Sequence, residues 1–347
     1  MAGIDLKKNI KKLKPYNPGI FSSRFKMDAN ENSYDIPAPV KKKIIRKIEK
    51  LSLNRYPDPL GRELKKKLSK KLKASPSSLF LGNGSDEIIY YLTQAFIEKN
   101  DRVIVPVPTF EMYGIISVIG GAKVTEIPLD KNFDIDDKKI ISRAKNKKVK
   151  FIFIAYPNNP TGNCFSELRI LRIIKNVKCF VVLDEAYYEF SGKTFINRLN
   201  KFRNLIVLRT FSKAYSMAGL RVGYMIAAPD VVDALNRVRL PYNVNAVSQL
   251  MAKEALSYAP RIQESICGIL NGREKIYAAL KDKHEIIPSD SNFLLIKVRD
   301  GKKAKRIFRK KRISVRFFED RRLKNYVRVT AGKPEENRAV IKILSDM

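Results

Sequence analysis

Lys213 ends the stretch RTFSK (209–213), directly after an apolar run that predicts a buried strand. Arg221 follows eight positions later, between two glycines in GLRVG (219–223). In a chain with 69 lysines and arginines, one lysine beside hydroxyl groups has no special meaning by itself. The chemistry depends on which other polar groups reach the same place.

Four polar clusters follow predicted strands, each at the point where its strand ends. They are GNGSDE (82–87), YPNNPTG (156–162), LDEAYY (183–188) and RTFSK (209–213). Open parallel sheets bind their ligands outside the carboxyl ends of the strands. Each cluster alone is compatible with an ordinary turn or helix cap. Four of them at one edge predict a shared site.

The groups in these clusters suit three parts of one ligand. The turn 84–86 offers backbone N–H groups at a helix N-terminus, where anions bind. Ser212 and Arg221 add a hydroxyl and a bidentate cation, so we predict that the anion is a phosphate. Lys213, partly desolvated and near an arginine, would have a lowered pKa and could form a Schiff base with an aldehyde. Asp184 could pair with a ring N–H, and the three parts together describe pyridoxal phosphate.

Apolar runs separated by helical patterns predict the elements that position these clusters. Continuous Val, Ile, Leu and Phe runs indicate strands buried on both faces, hence a mostly parallel α/β sheet flanked by helices. Beyond this region the pattern changes to long helices and then to a smaller α+β part, in which ISVRFF (313–318) is predicted as one strand. We predict an N-terminal arm (1–35), a large cofactor-binding domain (36–235) and a small C-terminal domain (236–347).

Composition restricts the class of protein. The 347 residues are 44% hydrophobic and 30% charged, which is typical of a globular protein with a large core. No window approaches the ~20 apolar residues of a membrane span, and the basic start lacks the features of a signal peptide. The three cysteines are far apart and His284 is the only histidine, which disfavours a disulfide framework or a zinc site. We expect a cytoplasmic protein without a metal and without membrane contact.

The net charge of +34 is unusual. Such a charge would attract nucleic acid, membrane surfaces or small anions. In GRELKKKLSKKLKA (61–74), however, Leu64, Leu68 and Leu72 fall on one helical stripe, and the lysines occupy the solvent side. The stretch PVKKKIIRKIEKL (39–51) has the same pattern. This distribution favours a solvated basic surface over nucleic-acid binding.

The order of the motifs resembles that of the fold-type-I pyridoxal-phosphate aminotransferases, and among them the histidinol-phosphate aminotransferases. The resemblance covers nearly the whole chain, from DANEN (28–32) to YVRVTAGKPEEN (326–337). NPTG or Ser-Lys alone would be weak, but the ordered set is specific. The set consists of Asn159 in NPTG, Asp184 and Tyr187 in DEAY, Lys213, and Arg221 in GLRVG.

The resemblance implies roles for these residues in binding pyridoxal phosphate. Lys213 would bind the cofactor covalently, and Asp184 would hold its pyridine nitrogen. Asn159 and Tyr187 would hydrogen-bond the ring 3′-oxygen, and Lys213, Asp184 and Tyr187 would be catalytic. Phe110 stands where the family stacks an aromatic ring, often tyrosine, on the cofactor. The phosphate-binding positions would be Ser85, Asp86, Thr210, Ser212 and Arg221.

The resemblance also implies a substrate site and a partner subunit. Arg328 and Arg316 match arginines that hold the anionic end of the substrate. Asn30 and Glu31 match a segment that closes over it. Tyr56, in NRYPDP, matches a tyrosine that reaches the phosphate of the other subunit, which implies a homodimer with shared active sites.

The implied reaction transfers the amine of L-histidinol phosphate to 2-oxoglutarate, a step of histidine biosynthesis that gives imidazole-acetol phosphate and glutamate. Three alternatives stay open. An aromatic-amino-acid aminotransferase and a threonine-phosphate decarboxylase would use the same cofactor residues. A nucleic-acid-binding protein on an old enzyme scaffold is disfavoured by the intact Lys213, Asp184 and Arg221.

Overall fold

The computed structural model describes residues 6–13, 15 and 22–347. Its strands are β1 (Phe25–Lys26), β2 (Leu79–Gly82), β3 (Arg102–Val107), β4 (Lys123–Pro128), β5 (Val149–Ala155), β6 (Phe180–Asp184), β7 (Leu205–Thr210), β8 (Gly223–Ile226), β9 (Ile286–Ile287), β10 (Phe293–Lys297), β11 (Ile313–Ser314), β12 (Arg316–Phe317) and β13 (Tyr326–Thr330).

The α-helices are α1 (Ala38–Ile48), α2 (Arg62–Leu72), α3 (Ser85–Phe96), α4 (Met112–Ile119), α5 (Asp137–Ala144), α6 (Glu167–Asn176), α7 (Tyr188–Ser191), α8 (Pro229–Val238), α9 (Ala246–Ala255), α10 (Ala259–Leu280), α11 (Gly301–Lys310) and α12 (Pro334–Ser345). Short 3-10 turns occupy Ile10–Lys12, Pro76–Ser78, Ile196–Arg198, Ala218–Leu220 and Leu256–Tyr258.

A seven-stranded sheet forms the centre of the fold, with the strand order β2-β8-β7-β6-β5-β3-β4. Neighbouring strands from β7 to β4 are parallel. Strand β8 is antiparallel to both of its neighbours, so β2 runs in the same direction as β7. The prediction of a mostly parallel sheet flanked by helices is confirmed.

Both faces of this sheet are buried, as the continuous apolar runs predict. In β5, Ile152 and Ile154 pack into one apolar cluster, and Phe151 and Phe153 pack into the other. Helices α3, α4 and α8 contribute to the second cluster, and α1, α2, α5, α6, α9 and α10 contribute to the first. Strands without a solvent-facing side need no alternation of polar residues.

Local signals in the sequence explain where helices begin. Ser166 caps α6 by accepting a hydrogen bond from the backbone N–H of Arg169. Asp136 caps α5 in the same way through the N–H of Lys139. Asp137 follows in the first turn of α5, where a negative charge suits the helix dipole.

The C-terminal part contains a four-stranded antiparallel sheet with the order β12-β13-β10-β9. The prediction of one strand over 313–318 is wrong in extent. Residues 313–314 form β11, which pairs with β1 near the N-terminus, whereas 316–317 form β12, which pairs with β13. The segment is divided into two strands because its two ends pair with two different partner strands.

The N-terminal segment is thereby attached to the C-terminal part. The N–H of Met27 donates to the carbonyl of Ser314, and the carbonyl of Met27 accepts from Thr330. The predicted domain limits at 35 and 235 stay predictions, and α8 (229–238) runs across the second of them.

None of the helices in the described ranges is long and apolar enough to cross a bilayer. The same residues contain no group of three or more His, Cys, Asp and Glu side chains that could hold a metal ion.

Candidate active site

The four predicted clusters do meet at one edge of the large sheet. Strands β2, β5, β6 and β7 run in the same direction, so their carboxyl ends lie together. The antiparallel β8 begins at this edge, because Gly223 pairs with both Gly82 and Thr210. Arg221 precedes Gly223 by two residues. Because β8 is antiparallel, Arg221 therefore lies near the carboxyl ends of β2 and β7.

Arg221 forms the centre of the predicted phosphate-binding group. Its Nη2 lies 3.2 Å from Asp86 Oδ2, and its Nη1 lies 3.3 Å from Ser212 Oγ. The Thr210 hydroxyl lies 3.0 Å from the Ser212 hydroxyl and accepts from the Ser212 N–H at 3.1 Å. The Arg221 side chain is 44% exposed, so its guanidinium is accessible to a ligand.

Two glycines make this arrangement sterically possible. A Cβ at Gly84 would lie 2.5 Å from Arg221 Nη2, and a Cβ at Gly223 would lie 2.5 Å from the backbone nitrogen of Ser85. Both distances are shorter than real Cβ contacts. The guanidinium and the start of α3 therefore approach each other only because both positions lack a side chain.

Lys213 is half-buried next to this group. Its Nζ donates to the carbonyl of Ala29 at 2.9 Å and lies 5.9 Å from the ring centre of Tyr187. Burial, followed by the positive charges of Arg328 and Arg221, lowers the pKa of the Lys213 amine to about 8, although Glu31 and Asp86 act in the other direction. An amine with this pKa is partly neutral near physiological pH, as nucleophilic chemistry requires.

Asp184 lies at the end of β6 and is 4% exposed. Its Oδ2 accepts a hydrogen bond from the Tyr113 hydroxyl at 2.8 Å, and its Oδ1 accepts from the N–H of Ala186 at 3.1 Å. Burial raises the pKa of this carboxyl to about 6, whereas the Tyr113 hydrogen bond opposes the rise. Sequence reasoning missed Tyr113, and its position in α4, three residues after Phe110, is the signal that could have indicated it.

Asn159, Tyr187, Arg328 and Asn30 lie together near Lys213. Arg328 donates to the side-chain oxygen of Asn159 and to the carbonyl of Asp28. The Asn30 amide donates to the Tyr187 hydroxyl at 2.8 Å. Burial raises the pKa of Tyr187 to about 12, although Arg328 and the Asn30 hydrogen bond oppose the rise. The N-terminal segment therefore contacts the same group of residues as β6 and β13.

Arg316 is placed directly opposite Arg328 in the antiparallel pair of β12 and β13. Directly opposite residues project from the same face of a sheet, so two cationic side chains share one face here. Glu31, the second residue predicted for the closing segment, pairs with Lys26. The structure thus places Arg316 opposite Arg328 and places Asn30 within hydrogen-bond distance of Tyr187.

Phe110 follows the end of β3 and packs edge-to-face on Tyr113 with ring centres 5.5 Å apart. Tyr56 is 80% exposed and stacks on Tyr242 at 4.3 Å on the protein surface. Tyr56 is predicted to belong to the site, but within this subunit its ring contacts Tyr242 and not the residues around Lys213.

A cavity of about 250 Å³ opens beside the phosphate-binding group. Residues of the N-terminal segment line one part of it, among them Glu31 and Tyr34, and Ser212 and Gly219 line another part. An anion-binding group, an amine of lowered pKa and a buried carboxylate thus lie at one edge of the sheet, and they form the combination that pyridoxal phosphate requires.

Comparison with known proteins agrees with this geometry. The sequence profile of the aminotransferase class I and II family matches residues 23–344. The histidinol-phosphate aminotransferase of Clostridium novyi (strain NT) is 38% identical over 340 residues, which cover 97% of this chain and 96% of the relative. That of Aquifex aeolicus (strain VF5) is 39% identical and covers 97% of this chain and 96% of the relative.

A solved structure resembles the fold over almost its full length. The crystal structure of histidinol-phosphate aminotransferase from Sinorhizobium meliloti in complex with pyridoxal-5'-phosphate has a TM-score of 0.91 and 22% identity, covering 99% of this chain and 98% of that one. At this identity the likeness concerns the fold alone. The matched profile and the curated relatives, each spanning nearly the entire chain, go further: the chain belongs to the aminotransferase class I and II family.

Proposed function

We propose that this chain is a pyridoxal-phosphate-dependent aminotransferase that converts L-histidinol phosphate and 2-oxoglutarate into imidazole-acetol phosphate and glutamate. The observation that carries the proposal is the meeting of Lys213, Asp184 and Arg221 at one sheet edge, in a chain 36–39% identical to curated histidinol-phosphate aminotransferases. The order of these residues along the chain is the one that the family resemblance predicts.

The residues present fit the cofactor. Gly84 and Gly223 leave just enough room for Arg221 to lie against the start of α3, which concentrates positive charge where a phosphate would bind. We assign the phosphate to Ser85, Asp86, Thr210, Ser212 and Arg221. The Asp86 carboxylate itself would repel a phosphate, so its contribution is the backbone N–H, and its side chain orients Arg221.

Once bound, pyridoxal phosphate supplies an electron sink for the carbanion that forms when the substrate loses its Cα proton. Lys213 Nζ acts as the general base that removes this proton. Asp184 would hold a proton at the pyridine nitrogen, and the burial of its carboxylate would exclude water from this contact. Asn159 and Tyr187 would hold the ring 3′-oxygen, and Phe110 would cover the ring.

The substrate proposal rests on the two arginines of β12 and β13. Like charges directly opposite each other in a sheet are destabilising, so an anion between Arg316 and Arg328 would relieve their repulsion. A phosphate monoester has nearly two negative charges and accepts paired hydrogen bonds from guanidinium groups. The carboxylates of 2-oxoglutarate and glutamate have the same chemistry, so one site serves both half-reactions.

We further propose a cytoplasmic homodimer. Leu53, Tyr56, Leu240 and Tyr242 are large apolar side chains that remain exposed, and Tyr56 stacks on Tyr242. The loop that carries Tyr242 also touches the start of α3, since Asn243 donates to Glu87 at 2.7 Å. A two-fold contact through this surface would bring Tyr56 of one subunit to the phosphate of the other.

A coupled assay tests the reaction. Histidinol phosphate, tyrosine, phenylalanine and phosphothreonine are offered at equal concentration with 2-oxoglutarate, and histidinol phosphate is expected to react fastest. Faster turnover of an aromatic amino acid, or release of carbon dioxide from phosphothreonine, would replace the proposal with the corresponding alternative. Borohydride reduction followed by peptide mapping should place the cofactor on Lys213, and a label on another lysine would contradict the assignment.

Subunit mixing tests the dimer. Tyr56→Ala and Lys213→Ala should each be inactive, and a heterodimer of the two would contain one site with both residues intact. We expect partial recovery of activity on mixing. An active protein that sediments as a monomer would contradict this part of the proposal.

A further inference from the structure

Tyr113 is a buried residue for which the predicted chemistry has no role. It is 1% exposed at the start of α4, and its hydroxyl donates to Asp184 Oδ2 at 2.8 Å. Its ring stacks on Phe153 with centres 5.4 Å apart and planes 4° from parallel, and Phe110 packs against its edge. The ring contacts on two sides fix the direction in which the hydroxyl points.

The hydroxyl is not needed for packing. The apolar cluster around Tyr113 contains Phe80, Phe151 and Phe153, which fill comparable space without a polar atom. A buried hydroxyl adds the cost of desolvation and is stabilising only through a partner. Its partner here is the one carboxylate proposed to face the pyridine nitrogen.

Few groups compensate the charge of this carboxylate. Asp86 on α3 and Glu185, the next residue along the chain, are acidic and act against ionisation of Asp184. The hydroxyl of Tyr187 faces the same region. The donors to Asp184 in the structure are the Tyr113 hydroxyl and the N–H of Ala186, both uncharged. Loss of the hydroxyl would leave the buried carboxylate with half of these hydrogen bonds.

We propose that Tyr113 is a positioning residue that orients the Asp184 carboxylate and keeps it ionised, so that the pyridine nitrogen of the cofactor retains its proton. The inference rests on the proposed function, because it concerns the same cofactor. Tyr113 itself acts through Asp184 and does not contact the substrate.

The test is Tyr113→Phe, which removes one oxygen and leaves the ring. Tyr326→Phe is the matched control, since Tyr326 is also buried and its hydroxyl donates to the carboxylate of Glu285 at 2.9 Å instead of to Asp184. In the holoenzyme, kcat for Tyr113→Phe should fall about 10- to 100-fold, the range that corresponds to one hydrogen bond to a charged group. KM for histidinol phosphate should be nearly unchanged, and Tyr326→Phe should keep native kcat.

A spectroscopic measurement separates positioning from mere packing. The chemical shift of ¹⁵N-labelled pyridoxal phosphate reports whether the ring nitrogen is protonated, and in Tyr113→Phe this proton should be lost at a lower pH than in the native enzyme. In the Asp184→Asn background, Tyr113→Phe should cause no further loss of kcat, because its effect passes through the carboxylate. A native ring-nitrogen titration in Tyr113→Phe, or full additivity with Asp184→Asn, would overturn the inference.

A measurement on the apoprotein distinguishes failure of the inference about Tyr113 from failure of the proposed function. A ¹³C titration of the Asp184 carboxyl in the apoprotein should show a higher pKa in Tyr113→Phe than in native protein, whichever reaction the protein catalyses. An unchanged carboxyl pKa would reject the role of Tyr113. Absence of cofactor binding by native protein would instead reject the proposed function.

Discussion

Two arginine–carboxylate pairs lie next to each other at the active-site edge, and they differ in burial. Arg209 and Glu185, here called the closed pair, have side chains that are 3% and 0% exposed. Arg221 and Asp86, the open pair, are 44% and 41% exposed. The closed pair joins the ends of β6 and β7, whereas the open pair joins the start of α3 to the turn before β8, and only the open pair leaves its guanidinium accessible.

In the closed pair, both side chains form their hydrogen bonds with other groups of the protein. Arg209 donates twice to Glu185 Oε2, at 3.1 and 2.8 Å, and once to the Thr194 hydroxyl at 2.8 Å. Its guanidinium lies 3.3 Å from the ring centre of Tyr188. Glu185 also accepts from the N–H of Phe195 at 2.7 Å. This pair fixes β6 to β7. It thereby fixes the positions of Asp184, which precedes Glu185, and Thr210, which follows Arg209.

The open pair has looser geometry. Its contacts of 3.2 and 3.3 Å are at the long end of hydrogen-bond distances, and Arg221 has a left-handed backbone with φ 50°. The accessible arginine in a positive-φ turn is therefore the one suited to an incoming anion, whereas the enclosed arginine stabilises the sheet.

The largest effect is expected in the closed pair. Glu185→Gln should lower the free energy of unfolding of the apoprotein by about 3–5 kcal/mol, because it leaves Arg209 buried without its counter-charge. Asp86→Asn, the equivalent change in the open pair, should cost about 0–1 kcal/mol, as is usual for exposed pairs. Urea unfolding of both variants measures the difference. Equal losses would show that burial does not distinguish the two pairs.

The open pair should dominate cofactor affinity. Arg221→Gln should weaken binding of pyridoxal phosphate by about 10- to 100-fold, since hydrogen bonds to charged groups contribute ~1.5–3 kcal/mol. The unfolding free energy of the apoprotein should change little. Fluorescence titration of the apoprotein measures the affinity, with Arg203→Gln as control, because Arg203 pairs with Asp230 on the exposed surface. Native affinity in Arg221→Gln would contradict the assignment of the phosphate site.

The two pairs should also differ in their effect on Lys213. The amine must be neutral to add to the cofactor, and its pKa is lowered from 10.5 to about 8, so the addition rate should rise with pH through a midpoint near 8. Arg221 contributes to the lowered pKa, so Arg221→Gln should move the midpoint to higher pH, whereas Glu185→Gln should leave it in place. Stopped-flow absorbance across pH 6 to 10 checks this, and an unshifted midpoint in Arg221→Gln would contradict it.

The same lowered pKa has a consequence for stability. Between about pH 8 and pH 10.5 the lysine of the unfolded chain binds more protons than the folded one, so this residue makes the apoprotein more stable as pH rises through that window.

Salt should have the smallest effect and should act only on the open pair. Between 0.1 and 1 M salt the screening length falls from about 10 to about 3 Å. Affinity for pyridoxal phosphate should fall about twofold to fivefold, the factor that matches the strength of exposed ion pairs. The stability difference between native protein and Glu185→Gln should stay nearly constant. A closed pair that weakens with salt as much as the open one would show that solvent reaches Arg209.

Much of the site could be predicted because its residues follow strands in a fixed order. Continuous apolar runs predict doubly buried parallel strands, and polar residues directly after such strands meet at one edge whatever the details of packing. Asp184 and Lys213 are predicted in this way, and the structure brings them to the same sheet edge. Their roles, like those of Tyr56, Arg316 and Glu31, stay predictions.

Other features could not be predicted because they depend on which other part of the chain a segment contacts after folding. The pattern of β8 contains no sign of its direction, although its reversal is what returns Arg221 to the site. Residues 313–318 alternate like one strand but are shared between two sheets. Tyr113 has the periodicity of an ordinary core residue in α4, and only the position of β6 places Asp184 within reach of its hydroxyl.

The sheet class, the sheet edge at which the site forms and the kinds of groups available there follow from the amino-acid sequence alone, because burial patterns and turn residues are local properties of the chain. Which of the many cations are enclosed and which are accessible depends on the folded arrangement of the chain. Two arginines twelve positions apart, Arg209 and Arg221, differ in this respect because strand pairing places one against a buried glutamate and the other at an open helix end. Burial of a charge is a property of its neighbours in space, and those neighbours are fixed only when the chain has folded.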